Sequence, residues 1–443
     1  MSGITVGLTA FGALLILLVL RIHIGIAMAI AGAGIYLVIN QGDTSALLFT
    51  LNNLAYARFS NYDLAVIPLF LLMGQFATHG GLSRALFRAA GAMIGHGKGG
   101  LAMAGTGACA AFGAICGSSL ATAATMGQVA LPELRRNGYS GKLATATLAA
   151  SGTLGILIPP SVPLVIYAVL TQESIGKLFV AAVIPGILAT LGYFAVIRII
   201  VTRHPEHGPA ASPIPWGERL KAQIGILPVL AVFAVVVIGI YDGWANPTEA
   251  ASIGAAACGL IAVISGGMRL KGIIQSIYGT AVATGMIFLV LLGADLLNSA
   301  LAISQMPTEL ANWVKESGMP PILVLFTVLG VYILLGCVMD SLAMILLTVP
   351  IFYPMIMGLD FFGMSMADKS VWFGILALMV VEIGLVHPPV GMNLYVINKL
   401  AKDVPMKDTA LGVMPFLASD FLRIVVLVFF PSLSLWLVHL TSN

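Results

Sequence analysis

Charged positions along the chain are widely spaced, and apolar tracts of roughly 19 to 34 residues separate them. A helix needs about 20 apolar residues to cross the hydrocarbon core of a membrane. The strands of a membrane barrel would instead alternate apolar and polar residues over about ten positions, and no stretch of the sequence does so. The pattern therefore predicts an all-α polytopic membrane protein.

Single membrane crossings are predicted wherever one apolar tract has a suitable length. The last tract is too long for one simple crossing, and we expect it to tilt or break near Asp420. The predicted crossings are residues 4–20, 23–39, 64–76, 180–201, 224–241, 250–268, 282–297 and 410–440.

Two tracts are too long and too poor in charge to be single crossings. Residues 99–132 carry no charge and would rise about 51 Å as one helix. Residues 318–359 carry only Asp340. The middle of each tract, residues 113–122 and 336–343, is rich in small or polar residues that favour a turn. Each tract is therefore predicted to be a re-entrant hairpin, in which two half-helices meet inside the membrane.

Each predicted hairpin is followed by an apolar tract with a double proline. Pro159 and Pro160 interrupt residues 143–172, and Pro388 and Pro389 interrupt residues 371–400. Proline has no backbone N–H and clashes with the carbonyl four residues earlier, so consecutive prolines unwind a helix. Two broken helices with free carbonyls at membrane depth are predicted.

These parts recur in the same order along the chain. Ser119 corresponds to Ser341 and Pro159 to Pro388, at offsets of about 222 and 229 residues. The pattern predicts N-terminal scaffold helices over 1–63, a first repeat over 64–201, a cytoplasmic linker with scaffold helices over 202–281, and a second repeat over 282–443.

The loops that follow the two hairpins differ in charge. The first carries Arg135, Arg136 and Lys142, whereas the second carries Asp360 and Asp368 against a single lysine. Because basic loops stay in the cytoplasm, the two repeats are predicted to have inverted topology. Inverted repeats with paired broken helices are typical of secondary transporters with binding sites near the membrane midplane.

Composition agrees with the membrane assignment and excludes other classes. With 59% apolar residues, 9% charged residues and a mean hydropathy of +1.03, the chain cannot form a soluble domain. The net charge of +3 gives no reason to expect a nucleic-acid partner. The four cysteines lie in apolar tracts without CxxC spacing, so we expect neither a disulfide framework nor a metal site from them.

Four motifs, found in order along essentially the whole chain, carry a family resemblance. They resemble motifs in the large membrane subunit of a tripartite ATP-independent periplasmic (TRAP) transporter. The motifs are Gly117-Ser118-Ser119-Leu-Ala-Thr122, Gly152-Thr-Leu-Gly-Ile-Leu-Ile-Pro-Pro-Ser161, Leu335-Gly-Cys-Val-Met-Asp-Ser341 and Gly384-Leu-Val-His-Pro-Pro-Val-Gly-Met-Asn393.

The resemblance implies a protein of the bacterial or archaeal inner membrane that works as an elevator, with a scaffold and a moving transport domain. It implies two protein partners, a small four-helix membrane subunit and a periplasmic substrate-binding protein. It also implies uptake of an organic acid, such as a dicarboxylate or a sugar acid, coupled to the sodium gradient. His387 departs from the family, which often has threonine there.

Sodium is a hard cation that prefers several oxygen ligands, including backbone carbonyls. Hairpin tips that face unwound helices can supply such oxygens, although small residues there could equally serve close helix packing. The expected sodium ligands are Gly117, Ser118, Ser119, Thr153, Gly155 and Pro159 in the first repeat, and Gly336, Asp340, Ser341, Gly384, His387 and Pro388 in the second.

A substrate carboxylate is expected at the starts of the half-helices that follow the double prolines, where free N–H groups carry partial positive charge. The nearest residues are Ser161, Val162, Gly391 and Asn393. The hydroxyls of Thr122 and Thr125 at the first hairpin could add hydrogen bonds.

Charged or titratable residues inside the membrane are functional candidates. Asp340 is interpreted either as an ion ligand or as the cap of the following half-helix. Glu382 and Asp295 could equally be structural hydrogen-bond partners. His387 could bind substrate, relay a proton or pack beside the prolines.

Two alternatives to the tripartite transporter remain open. One is a stand-alone ion-coupled carboxylate carrier of the ion-transporter superfamily, to which the resemblance assigns the chain. The other is an intramembrane hydrolase that uses Ser118 or Ser119 with His387. Nucleophilic catalysis needs an oriented base beside the serine, and these residues fall in different repeats, which disfavours the hydrolase.

Overall fold

The computed structural model describes residues 3–441, and all regular secondary structure in that range is helical. This confirms the all-α prediction. The outermost residues of the predicted first and last segments, 1–2 and 442–443, lie outside the described range. The chain begins with α1 (Gly3–Val19), α2 (Ile24–Ile39), α3 (Ser45–Phe59), a 3-10 turn (Tyr62–Ala65), α4 (Val66–His79) and α5 (Leu82–Ile94).

The first predicted hairpin and broken helix correspond to a run of shorter helices. α6 and α7 are separated at residues 117–118, within the predicted turn, and the following tract is interrupted on both sides of α9. These elements are α6 (Gly100–Cys116), α7 (Ser119–Arg136), α8 (Gly141–Gly152), α9 (Leu154–Leu157), α10 (Val162–Thr171) and α11 (Ile175–Arg203).

The middle of the chain contains the linker and two long helices. A 3-10 turn at Pro205–His207 opens the linker. The helices are α12 (Trp216–Ile224), α13 (Leu227–Tyr241), α14 (Pro247–Ile264), α15 (Leu270–Ser304) and α16 (Met306–Glu316).

The second predicted hairpin is separated at residues 337–340, and the second broken helix at residues 387–391. The helices of this part are α17 (Pro321–Gly336), α18 (Ser341–Met357), α19 (Met366–Val386), α20 (Met392–Leu400), α21 (Met406–Phe429) and α22 (Ser432–Thr441).

Five helices of the described chain, α11, α14, α15, α19 and α21, are long and apolar enough to cross a membrane. Three further spans are possible if each bent helix pair counts as one, including α8 and α9 with α10, which bend by 41°. The most apolar stretch of α19 is buried entirely. α19 therefore forms the centre of the molecule rather than a lipid-facing helix.

Near Asp420 the sequence predicts a tilt or a break, and the structure shows no break there. α21 continues through Asp420 to Phe429, and the chain breaks at Pro431 instead. The charge of Asp420 is accommodated inside the helix because Arg423 lies one turn later, with Nη2 2.8 Å from Asp420 Oδ1. Pro431 interrupts the helix because its nitrogen carries no hydrogen.

Glycines bring α2 directly against the long helix α15. A Cβ at Gly25 would lie 2.6 Å from the carbonyl oxygen of Leu289, and one at Gly32 would lie 2.8 Å from the nitrogen of Leu297. Small residues allow such backbone contact between membrane helices. α4 packs on both α14 and α15, so these four helices form one layer beside the hairpins.

Candidate functional site

The first hairpin turns within two residues. Gly117 follows α6 with φ of +62°, a left-handed conformation that glycine adopts without strain. Ser118 then caps α7, and its Oγ accepts a hydrogen bond from Ala121 N at 3.4 Å. A Cβ at Gly117 would lie 3.2 Å from the carbonyl oxygen of Pro160. The tip therefore faces the unwound part of the first broken helix.

A pair of glycines holds this hairpin against its broken helix. A Cβ at Gly113 would lie 2.2 Å from the Cα of Gly155. A Cβ at Gly155 would lie 2.4 Å from Thr122 Oγ1 and 2.9 Å from the carbonyl oxygen of Ser118. No larger side chain fits between these backbones, so Gly155 of α9 lies directly against the hairpin tip.

The second hairpin is joined to its broken helix in the same way. A Cβ at Gly384 would lie 2.5 Å from the Cα of Gly336. Beside this contact, His387 is the C-cap that follows the last residue of α19. Its Nδ1 lies 3.8 Å from Cys337 Sγ. Asp340 takes the N-cap position of α18, where its backbone is extended.

The two tips meet at one cavity of about 320 Å³, which is also lined by residues of α15 and by the start of α2. Its walls are mostly apolar, and its polar residues come from both tips and from the turn before α2. Among the lining residues are Ser118, Ser119, Val162, Asp340, Ser341 and His23.

Glu382 links the two hairpins behind this cavity. The Ser119 hydroxyl donates to Glu382 Oε2, and the Ser341 hydroxyl donates to Glu382 Oε1 at 2.9 Å. Glu382 lies on the central helix α19 and is 1% exposed. One buried carboxylate therefore contacts the first residue of α7 and the first residue of α18.

A second buried network extends from the first broken helix to α21. Thr153 Oγ1 donates to the carbonyl of Ala150 at 2.7 Å and lies 3.1 Å from the hydroxyl of Tyr193. The Tyr193 hydroxyl donates to Asp420 Oδ2 at 2.9 Å, and Asp420 pairs with Arg423. Thr153 is thus bonded toward α11 and α21, not toward the hairpin tip.

The double prolines lie at the helix breaks, and both Pro159-Pro160 and Pro388-Pro389 contain a cis peptide bond. Pro159 lines a separate cavity of about 510 Å³ with Phe179 and Tyr241. Of the expected sodium ligands, Gly117, Ser118, Ser119, Asp340 and Ser341 line the cavity between the tips.

The expected substrate residues divide between two places. Val162 lines the cavity between the tips, whereas Asn393, at the start of α20, donates from Nδ2 to the carbonyl of Ala149 on α8 at 3.3 Å. Ser161 Oγ and Asn393 Oδ1 are buried and find no hydrogen-bond partner among residues 3–441. Such atoms are usually satisfied by water or a ligand.

The remaining substrate candidates lie near the same helices. Thr122 is fully buried beside Gly155, and Thr125 is half-buried one turn later on α7. Gly391 precedes α20 with φ of +55°, and a Cβ there would lie 3.2 Å from the carbonyl oxygen of His387.

Sequence reasoning missed three residues of this region: His23, Tyr193 and Arg423. His23 is the first residue of a predicted crossing and carries no local signal of function. Arg423 could have been found, because a basic residue three positions after an intramembrane aspartate indicates an ion pair on one helix face. The sequence identifies Glu382 as a candidate, but it does not indicate that Ser119 and Ser341 donate hydrogen bonds to it.

Residues 11–433 match the family model described as tripartite ATP-independent periplasmic transporter, DctM component. The chain belongs to this family. It is therefore a TRAP large permease subunit, a multi-pass integral membrane protein and a transporter rather than an enzyme. In agreement, the His387 ring approaches Cys337 and the Ser119 hydroxyl bonds to Glu382, so within residues 3–441 no pairing of a serine with His387 supports the hydrolase interpretation.

The TRAP permease is similar to several curated proteins over most of its length. It is 34% identical to the C4-dicarboxylate large permease protein of Pseudomonas aeruginosa, covering 89% of this chain and 92% of that protein. It is 32% identical to the ectoine large permease protein of Halomonas elongata, over 85% and 86%. It is 31% identical to the sialic acid large permease protein of Vibrio cholerae, over 86% and 87%.

The TRAP permease also shares a fold with a solved structure, the YdaH transporter of Alcanivorax borkumensis. The two superpose with a TM-score of 0.64 over 90% of this chain and 89% of that chain. At 17% sequence identity, this likeness concerns the fold alone.

Proposed function

We propose that this TRAP large permease imports a carboxylate-bearing organic solute together with sodium by an elevator mechanism. The observation that carries the proposal is the single cavity at which both hairpin tips meet, lined by hydroxyls and a carboxylate. The repeats, their inverted topology and the re-entrant course of the hairpins are parts of this proposal.

Sodium binding is supported by the chemistry of the tips. Ser119 and Ser341 each use their only hydrogen in a bond to Glu382, which leaves the lone pairs of both oxygens free for a cation. Carbonyls at the helix breaks add oxygens without adding charge. The proposed ligands are the residues expected from the sequence, with Thr153, Pro159 and Pro388 the least supported because no described contact joins them to a tip.

The substrate class is supported by the relatives and by the start of α10. Similar proteins named for C4-dicarboxylate, ectoine and sialic acid point to a carboxylate, and one named for isethionate, a sulfonate, points to an acidic group more generally. α10 begins at Val162, beside the cavity, and the side chain of Ser161 does not cap it; because Pro163 has no N–H, the first turn offers those of Val162 and Leu164. A helix N-terminus favours an anion. The unpartnered hydroxyl of Ser161 lies one residue before it.

Elevator movement is supported by how the two halves pack. α10 of the first half packs on α18 of the second, and α20 of the second packs on α7 of the first. The hairpins and broken helices therefore form one unit, and the layer of α2, α4, α14 and α15 packs against it, α4 on α6 and α15 on α18. We propose that the first is the transport domain and the second the scaffold, within a bacterial or archaeal inner membrane.

The proposed partners are a small membrane subunit and a periplasmic substrate-binding protein, as the word tripartite in the family description implies. The test is uptake into proteoliposomes of radiolabelled succinate, sialic acid and ectoine, with candidate partners taken from neighbouring reading frames. We expect accumulation that requires the binding protein and an inward sodium gradient.

Each component of the proposal has its own contrary result. Uptake by the chain alone would favour the stand-alone carrier. Equal uptake with a potassium gradient in place of sodium would exclude the proposed ion sites. Binding of none of these carboxylates by the purified binding protein would exclude the proposed substrate class.

A further inference from the structure

Glu382 is a buried carboxylate without a cationic partner. It is 1% exposed, and no ion pair reaches it within residues 3–441. The nearby Asp420 carries the same sign of charge, and the guanidinium of Arg423 is already paired with Asp420. Burying an ionised carboxylate is costly unless an opposite charge compensates it.

Besides Arg423, the described residues include one other buried basic side chain, Lys369 on α19, and it cannot supply that charge. Lys369 donates from Nζ to the carbonyls of Met357 and Leu359, at 3.0 and 2.9 Å. It lies 13 residues before Glu382 on the same helix, about 20 Å away along the axis. No described side chain supplies the compensating charge, so Glu382 is neutralised either by a proton or by a cation that binds beside it.

The two serine donors indicate where that charge binds. Ser119 and Ser341 line the cavity, whereas Glu382 lies behind them. Because each serine hydrogen is directed at Glu382, each serine oxygen presents lone pairs to the opposite side. A carboxylate behind two hydroxyls makes their oxygens stronger cation ligands without itself reaching the cavity.

We propose that Glu382 is the shared anion of both hairpin sites: it orients Ser119 and Ser341 toward the coupling cation and balances the charge of sodium bound there. This inference rests on the proposed sodium coupling. It makes Glu382 a positioning residue for two sites at once. Sodium loading at one hairpin then depends on the other, because both serines share one carboxylate.

The test compares Glu382→Gln, which keeps the shape but loses the charge, with Glu382→Asp, which keeps the charge but is shorter. Each is reconstituted as the complete transporter, and uptake is measured against sodium concentration. We expect Glu382→Gln to raise the half-saturating sodium concentration by about tenfold or more and to lower the Hill coefficient toward one. Glu382→Asp should retain more sodium affinity than Glu382→Gln.

A role in packing alone predicts the reverse order, because glutamine fills the same volume as glutamate and aspartate does not. A second measurement is stabilisation of the purified membrane complex by sodium chloride relative to potassium chloride, which requires no transport. Asp295→Asn is the matched control, since Asp295 is a buried carboxylate paired with Arg58 away from both tips. Its half-saturating sodium concentration should stay within about twofold of wild type.

Failure of this inference and failure of the proposed function give different results. Sodium-dependent uptake by wild type together with an unchanged sodium response in Glu382→Gln overturns the inference and leaves the proposed function intact. Uptake by wild type that does not require sodium overturns the proposed function itself. Single Ser119→Ala and Ser341→Ala variants add a check: in the Glu382→Gln background, either should cause a smaller further loss than in wild type.

Discussion

The two hairpin units share a plan but differ in charge. In the first, residues 100–131 and 143–171 contain no charged side chain, and the tip presents hydroxyls and carbonyls. In the second, Asp340 lies at the tip and Glu382 in the broken helix. Glu382 nevertheless bonds to a serine of each tip. The acidic side chains beside both hairpin tips thus come from the second half of the chain.

The largest expected effect tests what the units share, the glycine contacts between hairpin and broken helix. We expect Gly384→Val and Gly155→Val each to lower uptake by about tenfold or more, because overpacking costs about 1–3 kcal/mol. Gly330→Val, in α17, is the control, since a Cβ there meets nothing within 4 Å. The readout is uptake per inserted protein. Normal uptake by Gly384→Val would show that the contact is dispensable.

The next effect tests the bases of the hairpins, which differ in burial. Lys369 is buried and bonded to two carbonyls at the end of α18. Arg135, in the last turn of α7, forms an exposed ion pair with Asp403. We expect Lys369→Met to lower the free energy of unfolding by about 1.5–3 kcal/mol, and Arg135→Ala by about 0.2–1 kcal/mol. Thermal unfolding in detergent measures both. Equal losses would contradict this difference.

A smaller effect tests the link from the first broken helix to the second half. Tyr193→Phe removes the hydroxyl between Thr153 and Asp420, and we expect about fivefold lower uptake because a buried carboxylate loses one donor. Tyr36→Phe is the control, because the Tyr36 hydroxyl on α2 contacts Thr50 on α3, outside this network. Were both variants to transport normally, the network would have no part in transport.

The smallest effect concerns His387, which stands where the family resemblance implies threonine. We expect His387→Thr to change uptake by about twofold at most, because the described polar contacts of its side chain reduce to one long approach to Cys337. Uptake is measured from pH 6 to pH 8. A marked change in the pH profile would instead assign a titrating role to the histidine.

Sequence reasoning predicted the helix breaks well, because glycine and proline act on the backbone where they stand. The turn at Gly117 and the breaks at Pro159 and Pro388 lie where predicted. The bridging role of Glu382 was out of reach, since Ser119 lies 263 residues away in sequence. No break occurs near Asp420, because its basic partner lies on the same helix.

The cysteines acquire a practical use from the position of the tips. Cys116 is the last residue of α6 and Cys337 the first residue after α17, and both are buried. Each hairpin therefore carries a native thiol at the point where it would part from its broken helix. With three of the four cysteines replaced by serine, so that only Cys116 or only Cys337 remains, the rate at which a maleimide modifies the remaining thiol measures how often that hairpin separates from its broken helix.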